Sequence, residues 1–277
     1  GSEVTKNAVL KAAQDQVKVS LRHPDMLADV AIVDPELTYG TDSYRSARGA
    51  MDAFTHLMEA YVCGDPNPLT DMICEEGLRR LSRSVLAGCL EDEKRARGDL
   101  SFAAMLGGMA INNAKLGAAH GLASALGGKL DAPHSVITAR LAPFVMSENI
   151  AAAKRAGRKD LIKRYRKIAQ ILTGRANANQ NDSVLWVKMM LEQLSLPKLH
   201  SFGICSTPFN LVAADALKST AIKGNPLPLT HDRLVYILNQ VCGCQDGTMA
   251  SMTVSPSLIE IRNNPVEQAI TKHNLEQ

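Results

Sequence analysis

Hydrophobic positions along most of this chain recur every three to four residues, the spacing of amphipathic helices. The exception is the beginning. Val4–Leu10, Val17–Leu21 and Val30–Val33 are short, β-branched or alternating runs broken by Asp15, His23-Pro24 and Asp34-Pro35, and they predict β-strands. After Thr41 the character changes. Ser43 or Asp42 can cap a helix over Tyr44–Val62 whose apolar face is Ala50, Ala53, Phe54, Leu57, Met58 and Tyr61. The run Gly64-Asp65-Pro66-Asn67-Pro68 stops it. A second helix is expected over Leu69–Leu90, with Ile73, Leu78, Leu81, Val85 and Leu86 on one side. A third, over Ser101–Gly117, is rich in small residues and so suited to close helix packing.

Downstream, the segment holding His120 ends at Gly127-Gly128. Pro133 fits the first turn of a helix over residues 134–154, and Pro143 is expected to kink or break that helix. Further helices are expected at 158–173, 182–195, 207–218 and 229–241, the last begun by Thr230. No internal repeat is visible. From Gly243 the periodicity fades and returns only as a short helical pattern over Val266–Asn274, so residues 243–277 are expected to form a C-terminal extension.

Composition narrows the function classes. The 277 residues suffice for one large or two modest domains. A hydrophobic fraction of 45% with 21% charged residues is that of a globular protein, and the low 4% of aromatics leaves Leu, Ala, Val, Ile and Met to fill the core. A net charge of +3 gives no electrostatic footprint for nucleic acid. The densest basic run, Lys154–Lys167, reads as the wet face of a helix. No apolar run approaches the roughly 20 residues of a membrane span, and the N-terminus has no signal-peptide pattern. The six cysteines, at 63, 74, 89, 205, 242 and 244, do not form a recognisable disulfide framework. Reduced thiols in a cytoplasmic compartment are the expectation.

Candidate chemistry concentrates in two places. Asp52 and His56 stand four apart on the first helix, so both project from one face. His120 and His134 lie fourteen apart on either side of the Gly127-Gly128 break. A lone core histidine is usually satisfied by a backbone carbonyl, and an Asp–His pair at this spacing is usually a surface hydrogen bond. Three imidazoles and a carboxylate, all set among apolar neighbours, are harder to satisfy in that way. They suit a divalent ion such as Fe²⁺ or Zn²⁺. The histidines at 23, 200, 231 and 273 lie near turns or in polar contexts and read as surface residues. There is no Gly-x-Ser-x-Gly elbow, no phosphate loop and no Gly-x-Gly-x-x-Gly fingerprint. Lys223-Gly224-Asn225-Pro226 reads first as a helix stop in a loop.

At these residues the sequence resembles the iron-containing (group III) alcohol dehydrogenases. The likeness runs from GSEVT through VAIVDPEL, GAMDAFTHLMEAYV and GAAHGLASALGG…DAPHS to IKGNPLPLT. The resemblance implies a mainly α fold: a helical bundle of the dehydroquinate synthase-like C-terminal kind, preceded by a few short strands from an α/β nucleotide domain. Residues 1–40 would be the remnant of that nucleotide domain and 41–242 the helical metal-binding domain. It further implies Asp52, His56, His120 and His134 as metal ligands, Thr5 and Lys18 as cofactor-contacting positions, and Fe²⁺ (or Zn²⁺) with NAD or NADP as cofactors. Two positions depart from the family pattern. Ser124 replaces a histidine four residues after His120, and Ser135 replaces the glycine after His134. Family members also carry a Gly-rich nucleotide-binding domain ahead of the GSE-type segment in which this chain begins, so most of the NAD(P) pocket is expected to be missing.

The activity implied is hydride transfer between a primary or secondary alcohol (or the aldehyde or ketone) and NAD(P), with a small-molecule substrate and neither nucleic acid nor membrane as partner; a homodimer is left open. Two other readings stand beside it. One is a metal-binding helical fragment without catalysis of its own. The other is a related dehydroquinate synthase-like or glycerol dehydrogenase-like enzyme, whose ligand patterns typically lack the full set of one aspartate and three histidines.

Overall fold

The computed structural model describes residues 1–12 and 17–243. The expected extension beyond Gly243, with the helical pattern over 266–274, lies outside the described residues. Among the described residues the fold is mainly α, with one β-hairpin and nine α-helices. Strands β1 (Asn7–Ala12) and β2 (Val17–Arg22) pair antiparallel, from Asn7 opposite Arg22 to Ala12 opposite Val17. Two expectations at this end are corrected. Ser2–Val4 is a 3₁₀ turn, so the first strand starts later than Val4. Val30–Val33 is no strand: it lies beside no pairing partner among the described residues, and Val30 and Ile32 are 77% and 86% exposed. A β-branched run has the propensity for a strand, but a strand requires a neighbour to take its backbone hydrogen bonds.

The helices follow the apolar pattern closely. α1 (Ser43–Val62) is capped by Asp42, whose carboxylate accepts from the Arg45 N–H at 2.8 Å. α2 (Pro68–Leu90) starts with Pro68 in its first turn and Asn67 accepting from the Thr70 N–H. α3 (Lys94–Asn113) begins seven residues before the expected Ser101 and ends four before Gly117. Its first turns are polar and gave no apolar signal. They are nevertheless held inward by Arg97, which reaches Asp92, Ser46 and the Thr41 carbonyl, and by Asp99, which binds Arg80, Arg83 and Ser84 of α2.

α4 (Ala118–Leu126) is short, and α5 (His134–Arg155) is long. The expected break at Pro143 is corrected: α5 runs unbroken through that residue. Pro143 forfeits one backbone hydrogen bond. Against that cost, α5 packs on α1 and α4 and buries Ile137, Leu141, Val145, Met146 and Ile150. Tertiary burial outweighs the local penalty. α6 (Lys159–Thr173) and α7 (Gln180–Gln193) pack on each other, with Gly174 supplying the left-handed turn after α6. α8 (Phe209–Lys218) and α9 (His231–Cys242) close the bundle over α4 and α5. The basic run 154–167 is divided between the exposed end of α5 (Lys154, Arg155), the turn at Arg158 and the exposed side of α6, except Arg164, which turns in to the Tyr61 carbonyl and Asp71.

Cysteine usage is corrected in part. Cys63, Cys74 and Cys89 are free and buried. Cys205 and Cys242 instead form a disulfide, with an S–S distance of 2.03 Å and Cα atoms 5.6 Å apart. Thirty-seven residues separate them, and only the docking of the turn at Ile204–Ser206 against the end of α9 brings them together. No spacing rule predicts such a pair. No described helix is long and apolar enough to cross a membrane.

Candidate metal site

α1 carries Asp52, His56 and Glu59 at i, i+4 and i+7, which at about 100° per residue places all three within roughly 60° of arc. Helices α4 and α5 meet that face, bringing His120 from the first turn of α4 and His134 from the first position of α5. One donor atom from each of Asp52, His120 and His134 lies within 4.8 Å of the others. His56 joins the group by ring stacking. Its centroid lies 4.9 Å from that of His120, and its Nε2 is 4.0 Å from Asp52 Oδ2. The rings of His120 and His134 are tilted, with centroids 5.6 Å apart. All four expected ligands therefore converge, three in a tight donor cluster and His56 against the face of His120.

The electrostatics are those of a buried carboxylate–imidazole nest. Burial raises the Asp52 pKa, but the neighbouring His56, His120 and His134 and a hydrogen bond from Thr138 Oγ1 (3.2 Å) outweigh it and hold the carboxyl below its ordinary range. Burial pushes His56 down to about 4, so its ring is neutral in this fold. Glu59 is 2% exposed, and burial again opposes its ionisation. The hydrogen bond and charge of His120 and the amide N–H groups of Gly117 and Ala119 win, and its carboxyl also sits below the usual range. His120, though burial lowers it, is raised by the Glu59 contact.

Whether a divalent ion suits this group can be judged at His120. Its Nδ1 meets Glu59 Oε2 at 2.7 Å. Its Nε2 is buried and has no hydrogen-bond partner. A buried imidazole nitrogen in that condition costs free energy unless something accepts its lone pair. The two imidazoles and one carboxylate of His120, His134 and Asp52, with the His56 ring beside them, suit Fe²⁺ or Zn²⁺, so the residues present fit such an ion.

The positions inferred for a cofactor are less informative. Thr5 follows the 3₁₀ turn Ser2–Val4, and its Oγ1 donates to the Ser2 carbonyl at 2.9 Å. That turn packs on α3 near Gly108, one residue from Gly107, which backs His56. Lys18 lies in β2 opposite Lys11. Ser124 is exposed on α4, one turn beyond His120, and the Ser135 carbonyl lies 3.2 Å from Thr138 Oγ1.

Two residues that contact the donors, Glu59 and Thr138, and one that only braces the start of α4, Asn225, escaped the sequence reading. Glu59 could have been found, since it continues the polar stripe of Asp52 and His56. Thr138 stands one turn after His134, a weaker signal. Asn225 gave none: it sits in the loop read as a helix stop, yet it is buried and its Oδ1 accepts from the Ala118 N–H at 3.1 Å, 107 residues away. Its Nδ2 donates to Asn149 Oδ1 and to the Leu227 carbonyl.

A helical bundle with carboxylate and imidazole donors converging from three of its helices presents a candidate metal site. Its lineage is equally clear: residues 46–242 match the model of the Fe-containing alcohol dehydrogenase family, C-terminal part, and the chain belongs to that family. It is similar to 1,3-propanediol dehydrogenase of Klebsiella pneumoniae, 31% identical over 246 residues, covering 86% of this chain and 62% of that protein. It is also similar to alcohol dehydrogenase 4 of Saccharomyces cerevisiae, 29% identical over 241 residues, covering 86% of this chain and 61% of that one. Among solved structures, a 1,3-propanediol oxidoreductase superposes with a TM-score of 0.79 at 30% identity, covering 87% of this chain and 63% of that one. The chain thus spans about three-fifths of the length of these relatives.

Proposed function

We propose that this chain supplies the metal-binding half of an alcohol dehydrogenase catalysing hydride transfer between a primary or secondary alcohol, or its aldehyde or ketone, and NAD or NADP. Asp52, His56, His120 and His134 would hold Fe²⁺ or Zn²⁺. When bound, such an ion supplies Lewis acidity toward the oxygen of an alcohol or carbonyl substrate. The chain's own residues prepare that chemistry. Asp52 contributes the single negative charge among the four donors, and Thr138 orients it. Burial keeps His56 neutral and so able to donate a lone pair. Helices α1, α4 and α5 wall the donors from water on the bundle side, while Asp52 and His56 retain partial exposure through which a substrate can approach. Thr5 and Lys18 are proposed on the cofactor side, from the family likeness alone.

The observation that carries this reading is the convergence of Asp52, His120 and His134 on one small volume, with His120 Nε2 buried and unengaged. Metal content by plasma emission, on protein purified without chelator, tests it. About one Fe or Zn per chain, lost in His120→Ala, is the expected result, followed by a screen of alcohol oxidation with NAD and with NADP. No metal in the wild type after reconstitution overturns it.

A further inference from the structure

We propose that Glu59 is the positioning residue of the metal site: its buried carboxylate engages His120 Nδ1 and the start of α4 together, so that Nε2 alone is offered to the ion. The inference rests on the metal reading above and adds a residue that the four-ligand pattern leaves out.

The geometry is closed around the carboxylate. Oε2 accepts from the Gly117 N–H at 2.8 Å and faces His120 Nδ1 at 2.7 Å. Oε1 accepts from the Ala119 N–H at 2.7 Å. An ionised carboxylate can only accept, so in the neutral ring the hydrogen on His120 lies on Nδ1 and Nε2 carries the lone pair. Ligating histidines are commonly held by such a contact on the far ring nitrogen, which fixes tautomer and ring orientation and raises basicity.

Two further features show that the fold is built for this approach. Gly117, the N-cap of α4, makes no side-chain cap of its own. The first N–H groups of the helix are instead served from elsewhere in the chain, by Glu59 and by Asn225. A Cβ at Gly117 would stand 2.8 Å from Glu59 Oε1 and 3.0 Å from Asn225 Oδ1, so only glycine admits both. The positive end of the α4 dipole adds to the stabilisation of the carboxylate. Asn225 braces the same helix start without touching His120, which makes it the natural control.

The experiment compares wild type, Glu59→Gln and Asn225→Ala in two readouts. The first is histidine-selective ¹⁵N NMR of the metal-free protein at alkaline pH, which reports the ring tautomer. The second is the Co²⁺ dissociation constant by chelator competition. The expected wild-type spectrum shows His120 protonated on Nδ1. Glu59→Gln is expected to lose that single tautomer and to bind Co²⁺ about 10- to 100-fold more weakly. Asn225→Ala is expected to lose thermal stability while keeping tautomer and Co²⁺ affinity, the latter within roughly threefold, because it touches no ligand. A wild-type His120 protonated on Nε2, which requires no variant to fold, overturns the proposal. So does a Glu59→Gln protein that binds Co²⁺ as Asn225→Ala does. Wild type that takes up no Co²⁺ removes the metal reading itself, and the NMR readout then still decides whether Glu59 sets the tautomer.

Discussion

At the scale of single residues, the site depends on how closely side chains can approach the backbone at the start of α4. Gly117 has extended backbone angles that any residue can adopt, so replacing it raises no dihedral strain. The obstacle is contact. Glu59 cannot retreat from a new methyl group without breaking the three hydrogen bonds that hold it. Gly117→Ala is therefore expected to destabilise the protein by about 1–3 kcal/mol through overpacking. Gly49, on the exposed side of α1, has nothing within 4 Å of a built Cβ, and Gly49→Ala is expected to stabilise by up to ~1 kcal/mol through helix propensity. Urea midpoints of the two variants check the pair, and equal effects of the same sign would contradict it. The four candidate donors were legible in sequence because they leave an unusual trace: several costly polar groups in apolar segments. Glu59 left a fainter version of that trace on the same helix face. Asn225 left none, because its partners lie far away in the chain and asparagine in a loop is ordinary.

At the scale of elements, most helices were readable from the 3.6-residue apolar period, and the misreadings share a cause. The first turns of α3 are anchored by polar contacts, so an apolar template starts the helix too late. Pro143 and Val30–Val33 fail in opposite directions: packing keeps a helix that local propensity would break, and want of a partner denies a strand that propensity would make. The polar anchor of α3 can be tested through Asp99. Burial opposes its ionisation, but Arg83, Ser84 and Arg80 outweigh burial and hold its pKa below the ordinary value. A carboxylate depressed in the folded state stabilises the fold above its unfolded pKa and loses that contribution as pH falls through the folded one. Asp99→Asn is thus expected to cost about 1–3 kcal/mol at neutral pH, the range for charge-assisted hydrogen bonds. The difference from wild type should begin to shrink below about pH 4, where the unfolded-state carboxyl takes up its proton, and should disappear as pH falls through the lower folded-state pKa. Guanidinium titrations at pH 7 and pH 3 measure it; a difference that grows on acidification refutes the assignment.

At the scale of the whole molecule, the site is assembled from segments that nothing local holds together. Asp52 and His56 come from the central helix α1, His120 from α4 and His134 from α5, so an ion bound by all four ties three helices of one core. The disulfide between Cys205 and Cys242 performs a comparable service elsewhere, fastening a turn to the end of α9. An ion that binds the folded chain and not the unfolded one stabilises by mass action, by about 2.7 kcal/mol at a free concentration 100 times the Kd and about 4.1 at 1,000 times. Chelation should therefore lower the Tm of metal-loaded protein, and added Fe²⁺ or Zn²⁺ should restore it in a concentration-dependent way. His120→Ala removes a donor whose Nε2 is otherwise unengaged, and its Tm should no longer respond to chelator or to metal. Calorimetry on both proteins, with and without chelator, separates the two possibilities. If the variant still gains stability from the ion as the wild type does, the ion binds somewhere other than among these helices, and the convergence of α1, α4 and α5 serves packing alone.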